Sequence, residues 1–208
     1  KMPYEQIHAC PNGCVLFTKE YADDKYCAKC KASRYVERDL SDGTKKQSKV
    51  PANVLRYFPI LPRIQRLYLN EDTAKQMTWH KYGIRHDKDD HGRPMLIHPS
   101  CAQAWKSFDR IHHEKAKEAK NARVAIGLDG FNPFGMVSKT YSCWPVFVVP
   151  LNLPPGAIMQ RKHKFLSLII PRPKYPGKNI SVYMQPLVDE LKEAWVNGIR
   201  TYDAASKK

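Results

Sequence analysis

Two cysteine pairs near the N-terminus constrain the fold more than any other feature of the chain. Cys10-Pro-Asn-Gly-Cys14 is followed, after twelve intervening residues, by Cys27-Ala-Lys-Cys30. Each pair sits on a short turn, and a hairpin-length insert brings the turns together. Four sulfurs can then surround one tetrahedral zinc ion. The PNG and AK dipeptide stretches supply the turn chemistry. Spacing alone leaves open two disulfides or free structural cysteines. The opening KMPYEQIHAC lacks the apolar centre of a secretion signal, which favours reduced thiols. The expectation is a zinc-ribbon-like segment over residues 1–36, with Zn²⁺ on Cys10, Cys14, Cys27 and Cys30; His8 is a candidate substitute ligand, expected as a bystander. In so short a segment the metal supplies stability that a core cannot. Cys101 and Cys143 have no partner at ligand spacing, and Cys143 reads as a small apolar residue inside a strand.

Charge narrows the partners. Lys plus Arg number 35 against 20 Asp plus Glu, a net +15 on 208 residues. Such an excess favours a polyanion, because basic side chains displace the counterions condensed on phosphates. No stretch approaches the roughly 18 apolar residues of a membrane-spanning helix, so no membrane partner is expected. The basic residues group in three places. Arg34 lies at the cysteine segment, Lys45, Lys46 and Lys49 lie just after it, and Arg161, Lys162, Lys164, Arg172, Lys174 and Lys178 flank a later apolar run. These are the candidate nucleic-acid contacts, largely non-specific and salt-sensitive, since nothing in them reads base edges. His80, His86, His91, His98 and Cys101 share one loop, but their irregular spacing favours a solvated or phosphate-facing loop over a second metal site.

Periodicity divides the rest. Residues 37–53, polar and lysine-containing, read as a basic linker, and 54–121 as a helical segment. Pro62 suits a first helical turn, with Ile64, Leu67 and Tyr68 on one face. Asn70, Glu71 and Asp72 look like a cap and acidic first turn for a helix through Met77 and Trp79. Ser100 with Gln103 makes a capping box for a helix running to about Lys120. From 122 the period changes. Val124, Ile126 and Leu128 alternate with Ala125, Gly127 and Asp129, then YSCWPVFVVPL and KFLSLIIP follow as strands, a meander of antiparallel neighbours. A helix with Tyr183, Leu187, Leu191, Ala194, Trp195 and Ile199 on one face closes the chain, its regular part expected after Pro186. The fold class is therefore mixed α+β.

Asp129 stands at the end of the first of these strands, beside Ala125 and Gly127 on the small-residue face and ahead of the turn GFNPFG. An aspartate on a central strand of a mixed sheet is a means of holding Mg²⁺. Two such ions activate a water or 3′-hydroxyl and stabilise the leaving oxygen at a phosphodiester. Three strands and a helix, with the acid on the first strand, is also how a ribonuclease-H-like fold begins. Alternatively Asp129 only caps the following turn, since DG and NP are common turn dipeptides.

Several stretches resemble the transposases of plant CACTA (En/Spm-type) DNA transposons. They are HACPNGCVLF, CAKCKASRY, VLRYFPILPRIQRLY, the MTWH segment, HPSCAQAWKSFD, GLDGFNPFG, TYSCWPVFVVPLNLPP and SLIIPRPKYPGKNISVYMQPLVDELKEAWVNGIRTYD. They occur in the family's order over nearly the whole chain, and GFNPFG and YPGKNISVYMQPL are the specific ones. The resemblance implies a nuclear protein that binds DNA and other transposase chains. It also implies a ribonuclease-H-like catalytic domain with a DDE/D triad working on Mg²⁺ or Mn²⁺, here the partial domain 122–208, with Asp129 as the first triad acid. In the family the other two acids lie beyond the TYD block. Asp189, Glu190, Glu193 and Asp203 do not match those positions and read as solvated helix-surface groups. The chain is thus expected to be a fragment that neither cuts nor joins DNA by itself. The competing expectation is a non-catalytic DNA-binding or assembly module, domesticated or decayed from a transposon. An unrelated zinc protein of RNA metabolism fits the charge but leaves GFNPFG unexplained.

Overall fold

The computed structural model describes residues 3–41, 43–84, 88–93, 95–134, 142–172 and 177–208, with the side chains at 171 and 172 set aside. The chain is mixed α+β. Its strands are β1 (Glu5–His8), β2 (Tyr35–Asp39), β3 (Lys45–Pro51), β4 (Val54–Tyr57), β5 (Val124–Leu128), β6 (Ser142–Pro150) and β7 (Phe165–Arg172). Its helices are α1 (Leu61–Leu69), α2 (Glu71–Gln76), α3 (Trp79–Tyr82), α4 (Gln103–Ile111), α5 (His113–Lys117), α6 (Pro155–Ile158) and α7 (Ile180–Asn197). Five strands form one sheet in the order β1-β4-β7-β6-β5, and β2 and β3 form a separate ribbon. The expected order of β5, β6 and β7 as successive neighbours is present. Two compact units result, one of Lys1–Pro59, Leu128–Val146 and Leu166–Gly198, the other of Ile60–Gly127, Phe147–Phe165 and Ile199–Lys208.

In the first unit β1 and β4 run antiparallel, with Ile7 opposite Leu55, and β4 runs antiparallel to β7, with Tyr57 opposite Leu168. Leu55, Val146, Leu168 and Ile170 are fully buried, as alternating apolar side chains on one sheet face should be. Tyr183 and Leu187, one helical turn apart on α7, are buried with them. That packing carries α7 straight through Pro186, which was expected to limit it. The proline removes one hydrogen bond to the carbonyl of Val182, a loss the buried pair on either side outweighs. The acids of α7 have side-chain partners, although Glu193 remains exposed as expected. Tyr57 Oη donates to Glu190 at 2.5 Å, Lys19 pairs with Asp189 at 2.6 Å, and Asn197 donates to Glu193 at 2.5 Å.

Two boundaries differ from the sequence reading. The stretch expected as a basic linker is largely the β2–β3 ribbon, and the segment expected to be helical opens with strand β4. Polar composition masked the ribbon because its side chains are mostly solvated. On β5, Ile126 and Leu128 are 41% and 43% exposed, so the bulky face expected to pack is largely open. Among the described residues β5 is the outermost strand of its sheet, not the central strand expected to carry Asp129, because β6 is its only strand neighbour there.

In the second unit Pro62 does open α1, and Ile64, Leu67 and Tyr68 are its buried face. Asn70 Oδ1 accepts from the Thr73 N–H at 3.0 Å, the cap expected for α2, with Glu71 and Asp72 in its first turn. The helix ends at Gln76, however, and Trp79 belongs to the separate α3. The expected capping box at Ser100 is absent. Ser100 sits in a short 3₁₀ turn, its N–H donates to His98 Nδ1, and α4 begins after Ala102. That helix breaks at His112, whose φ of −113° and ψ of 49° are not helical, before α5 resumes. Asn152, fully buried, joins three segments. Its Oδ1 accepts from the Arg123 N–H at 2.7 Å, its Nδ2 donates to Asn121 O at 3.0 Å, and its backbone O accepts from the His80 N–H at 3.2 Å.

Asp203 ties the last segment down. Its buried carboxylate pairs with Lys120 and accepts from Ser206 Oγ at 2.8 Å and the Ala205 N–H at 2.9 Å. Burial pushes this carboxyl up, but the hydrogen bonds from Lys120, Ser206 and the Ala205 N–H outweigh it and leave it below the usual aspartate value. A depressed folded-state value contributes stability above the unfolded value and loses it as pH falls. Asp203→Ala should therefore cost about 2 kcal/mol at neutral pH in urea unfolding. The gap between wild type and variant should narrow as pH drops below about 4; a gap that persists in acid would assign the loss to packing instead.

Candidate metal centre and strand-end carboxylate

The two cysteine turns fold alike. Cys10 N–H donates to Val15 O at 3.0 Å and the Gly13 N–H to Cys10 O at 2.8 Å. In the second turn Cys27 N–H donates to Ala32 O at 2.8 Å and the Lys31 N–H to Cys27 O at 2.9 Å. Each turn needs one left-handed residue. Gly13 adopts it at φ 72°, and Lys31 at φ 61°, where a side chain carries the steric cost. The isolated bridges Ala9–Leu16 and Tyr26–Ser33 close the two loops at their bases.

These turns bring the four sulfurs within 4.8 Å of one another. Tetrahedral zinc with bonds of about 2.3 Å places its sulfurs about 3.8 Å apart, so the donor set is close to the spacing such an ion needs. No disulfide joins any of the six cysteines in this arrangement. Cys10 and Cys27 are fully buried with Val15 and Phe17, and Cys14, Tyr21 and Ala32 pack against them. The four-cysteine cluster can hold a metal such as zinc. Among the described residues it is the one set of three or more Cys, His, Asp or Glu groups placed to do so.

The thiols are electrostatically unequal. Burial pushes Cys14 up to about 12, helped by the neighbouring Cys30 and Cys10. Cys30, at the solvent edge, is held down at about 6 by hydrogen bonds from the Ala32 N–H and the Asn12 amide. Burial also raises Cys10. A cation among the sulfurs would offset that burial and favour the thiolate forms of Cys10 and Cys14. Asn12, legible in sequence only as a turn residue, supports the sulfurs twice. Its N–H approaches Cys10 Sγ at 3.3 Å and its Nδ2 approaches Cys30 Sγ at 3.4 Å. His8 is not in the set. Its Nδ1 accepts from Arg34 Nε at 2.9 Å, and its pKa is lowered by burial and then by the Arg34 charge.

Asp129 follows β5 directly, is exposed, and its Oδ1 accepts from the Gly130 N–H at 2.8 Å. The turn-capping hydrogen bond anticipated for it is thus present, and it occupies one carboxylate oxygen. Gly130 lies flat on the Trp144 indole, where an added Cβ would stand 2.4 Å from the ring. Phe131 and Cys143 exchange backbone hydrogen bonds at 3.0 and 2.8 Å, which pins the chain just past Asp129 to β6. No other acidic side chain joins Asp129 in a metal-binding group among the described residues.

The basic candidates fall in different places. Arg34 is spent inside the cysteine module, donating to His8, Ala22 O at 2.6 Å and Asp24 O at 3.2 Å, with its guanidinium over Phe17. Lys45, Lys46 and Lys49 are exposed on β3. Arg161, Lys162 and Lys164 are exposed before β7, and Lys178 is exposed just ahead of α7. Lys174 and the side chain of Arg172 lie outside the described residues, as does His86. Of the other loop groups, His98 bonds Ser100 Oγ and Leu153 O, while His80 is buried beside Trp105.

Loss of a ligand and loss of a bystander should separate cleanly. Cys30→Ala should weaken metal binding on the order of 100-fold, while His8→Ala should leave one tightly held metal per chain, as read by competition with a chromophoric chelator. Equal losses would put His8 among the ligands.

The family model of transposase family tnp2 matches residues 93–208, a span that includes Asp129, β5, β6, β7 and α7. No curated protein and no solved structure matches significantly. With more than half of its residues covered by that model, the chain belongs to the transposase family tnp2.

Proposed function

We propose that this chain is a portion of a metal-dependent DNA transposase of the plant CACTA (En/Spm) type, nuclear in location. In this reading it binds DNA through exposed basic residues and works beside other transposase chains. The observation that carries the reading is the family match over the segment in which Asp129 directly follows an outer strand. Successive neighbours β5, β6 and β7 followed by α7 agree with the opening half of a ribonuclease-H-like domain. Asp129 is then its first metal-facing acid.

The residues set limits on the chemistry. In the complete enzyme a pair of Mg²⁺ or Mn²⁺ ions would activate the attacking hydroxyl and stabilise the departing one. Asp129 offers such ions one carboxylate, with Oδ1 oriented by the Gly130 N–H and the turn braced on Trp144. The acids of α7 are engaged with Lys19, Tyr57 and Asn197, and Asp203 with Lys120. Among the described residues no second carboxylate joins Asp129, and one carboxylate does not fit a two-ion site, so in this reading the chain by itself does not cleave DNA. The four cysteines suit a structural Zn²⁺. A second reading, a non-catalytic zinc-containing DNA-binding or assembly module decayed from a transposon, is favoured by that engagement of the acids. The two readings part on whether further acids reach Asp129 in the complete protein.

Incubated with terminal-repeat DNA and Mg²⁺ or Mn²⁺, the chain should leave the DNA intact. Cleavage abolished by Asp129→Asn would overturn the assignment of inactivity. Binding to duplex DNA should weaken more than about tenfold between about 50 and 200 mM salt, and a flat salt dependence would remove the electrostatic case.

A further inference from the structure

The β2–β3 ribbon has an arrangement of charge that its own fold does not explain. Register sets Arg38 directly opposite Lys46, Glu37 opposite Gln47, and Asp39 opposite Lys45. Directly opposed residues of an antiparallel pair share a face. The Glu37–Gln47 face leans on the cysteine module, where Gln47 Nε2 donates to Ser33 Oγ at 2.8 Å. The Arg38–Lys46 face therefore points outward, and both residues are exposed. Like charges directly opposed across a strand pair destabilise it. No ion pair to a described carboxylate relieves either residue, nor Lys45 or Lys49 on the same ribbon.

A two-stranded ribbon is marginal in water by itself, so a ribbon that retains such a repulsion needs an anchor, and an anion laid along it would relieve the repulsion. The anchor is present. Arg34 and Tyr35 run directly from the second cysteine turn into β2, and the Ala52 N–H returns to Arg34 O at 2.9 Å at the ribbon's base. The width of a two-stranded ribbon matches the major groove of B-form DNA, whose phosphates line both rims. We propose that the β2–β3 ribbon is the arm by which the cysteine module grips duplex DNA, with Arg38 and Lys46 as paired phosphate contacts. The inference rests on the DNA-binding reading above and names the element that carries it.

The test is fluorescence anisotropy of the metal-loaded chain on a labelled duplex across a range of salt concentrations. Arg38→Ser combined with Lys46→Ser should reduce the magnitude of the log–log salt slope by about 1.8, two phosphate contacts at about 0.9 each. Lys75→Gln combined with Lys117→Gln removes the same charge from exposed lysines of α2 and α5 already paired with Glu71 and Glu114, and should leave the slope unchanged. Arg38→Glu should weaken DNA binding while raising the thermal midpoint of unfolding, because it replaces a repulsion by an attraction. A ribbon with only a structural role would show no such opposition. Wild type that binds with a slope the ribbon variants do not alter would overturn this proposal alone. Equal losses in both double variants would reduce it to a net-charge effect. Wild type that binds no duplex would overturn the DNA-binding reading, and this one with it.

Discussion

Four sulfurs held within 4.8 Å of one another ionise together most readily with a cation among them, and the N-terminal part of this protein is organised around that constraint. Cys10 and Cys27 fill the centre of a small core with Val15 and Phe17. The strand entering the first turn is β1, which pairs with β4 in the main sheet, and the strand leaving the second is β2, which begins the ribbon. A metal at the centre would therefore set the position of an edge strand of the sheet and of a solvent-exposed arm at once. Arg34 reinforces the same joint by linking His8, at the end of β1, to the carbonyls of Ala22 and Asp24.

The strand-end acid is positioned by different forces. Backbone pairing of Phe131 with Cys143 and the seating of Gly130 on Trp144 hold Asp129 at a defined place beside β6. Asp129 remains exposed there, whereas the acids of α7 serve the packing of their own helix. The contrast between an acid left to solvent and acids consumed by neighbours is what distinguishes a candidate metal-facing group from a structural one.

Much of this was legible in sequence where a local rule decides the outcome. The cysteine spacing, the Asn70 cap and the buried face of α1 are such cases, because turn chemistry, one hydrogen bond and helical period each act within a few residues. What escaped depends on partners distant in sequence. The ribbon was hidden by its polar composition, the run of α7 through Pro186 depends on the burial of Tyr183 and Leu187, and the capping box lost Ser100 to His98. Asn152 gave no signal, since a buried asparagine is identified only by the segments it joins. Arg34 read as a phosphate contact because charge is visible in sequence and a histidine partner is not.

The most direct test is native mass spectrometry of the reduced chain, paired with amide hydrogen exchange before and after chelation. The account predicts one zinc per chain. It also predicts that chelation strips protection from the two cysteine turns, β1 and the ribbon together, while α1 and α2 keep theirs. A chain that is protected in those segments with four reduced cysteines and no bound metal would contradict it.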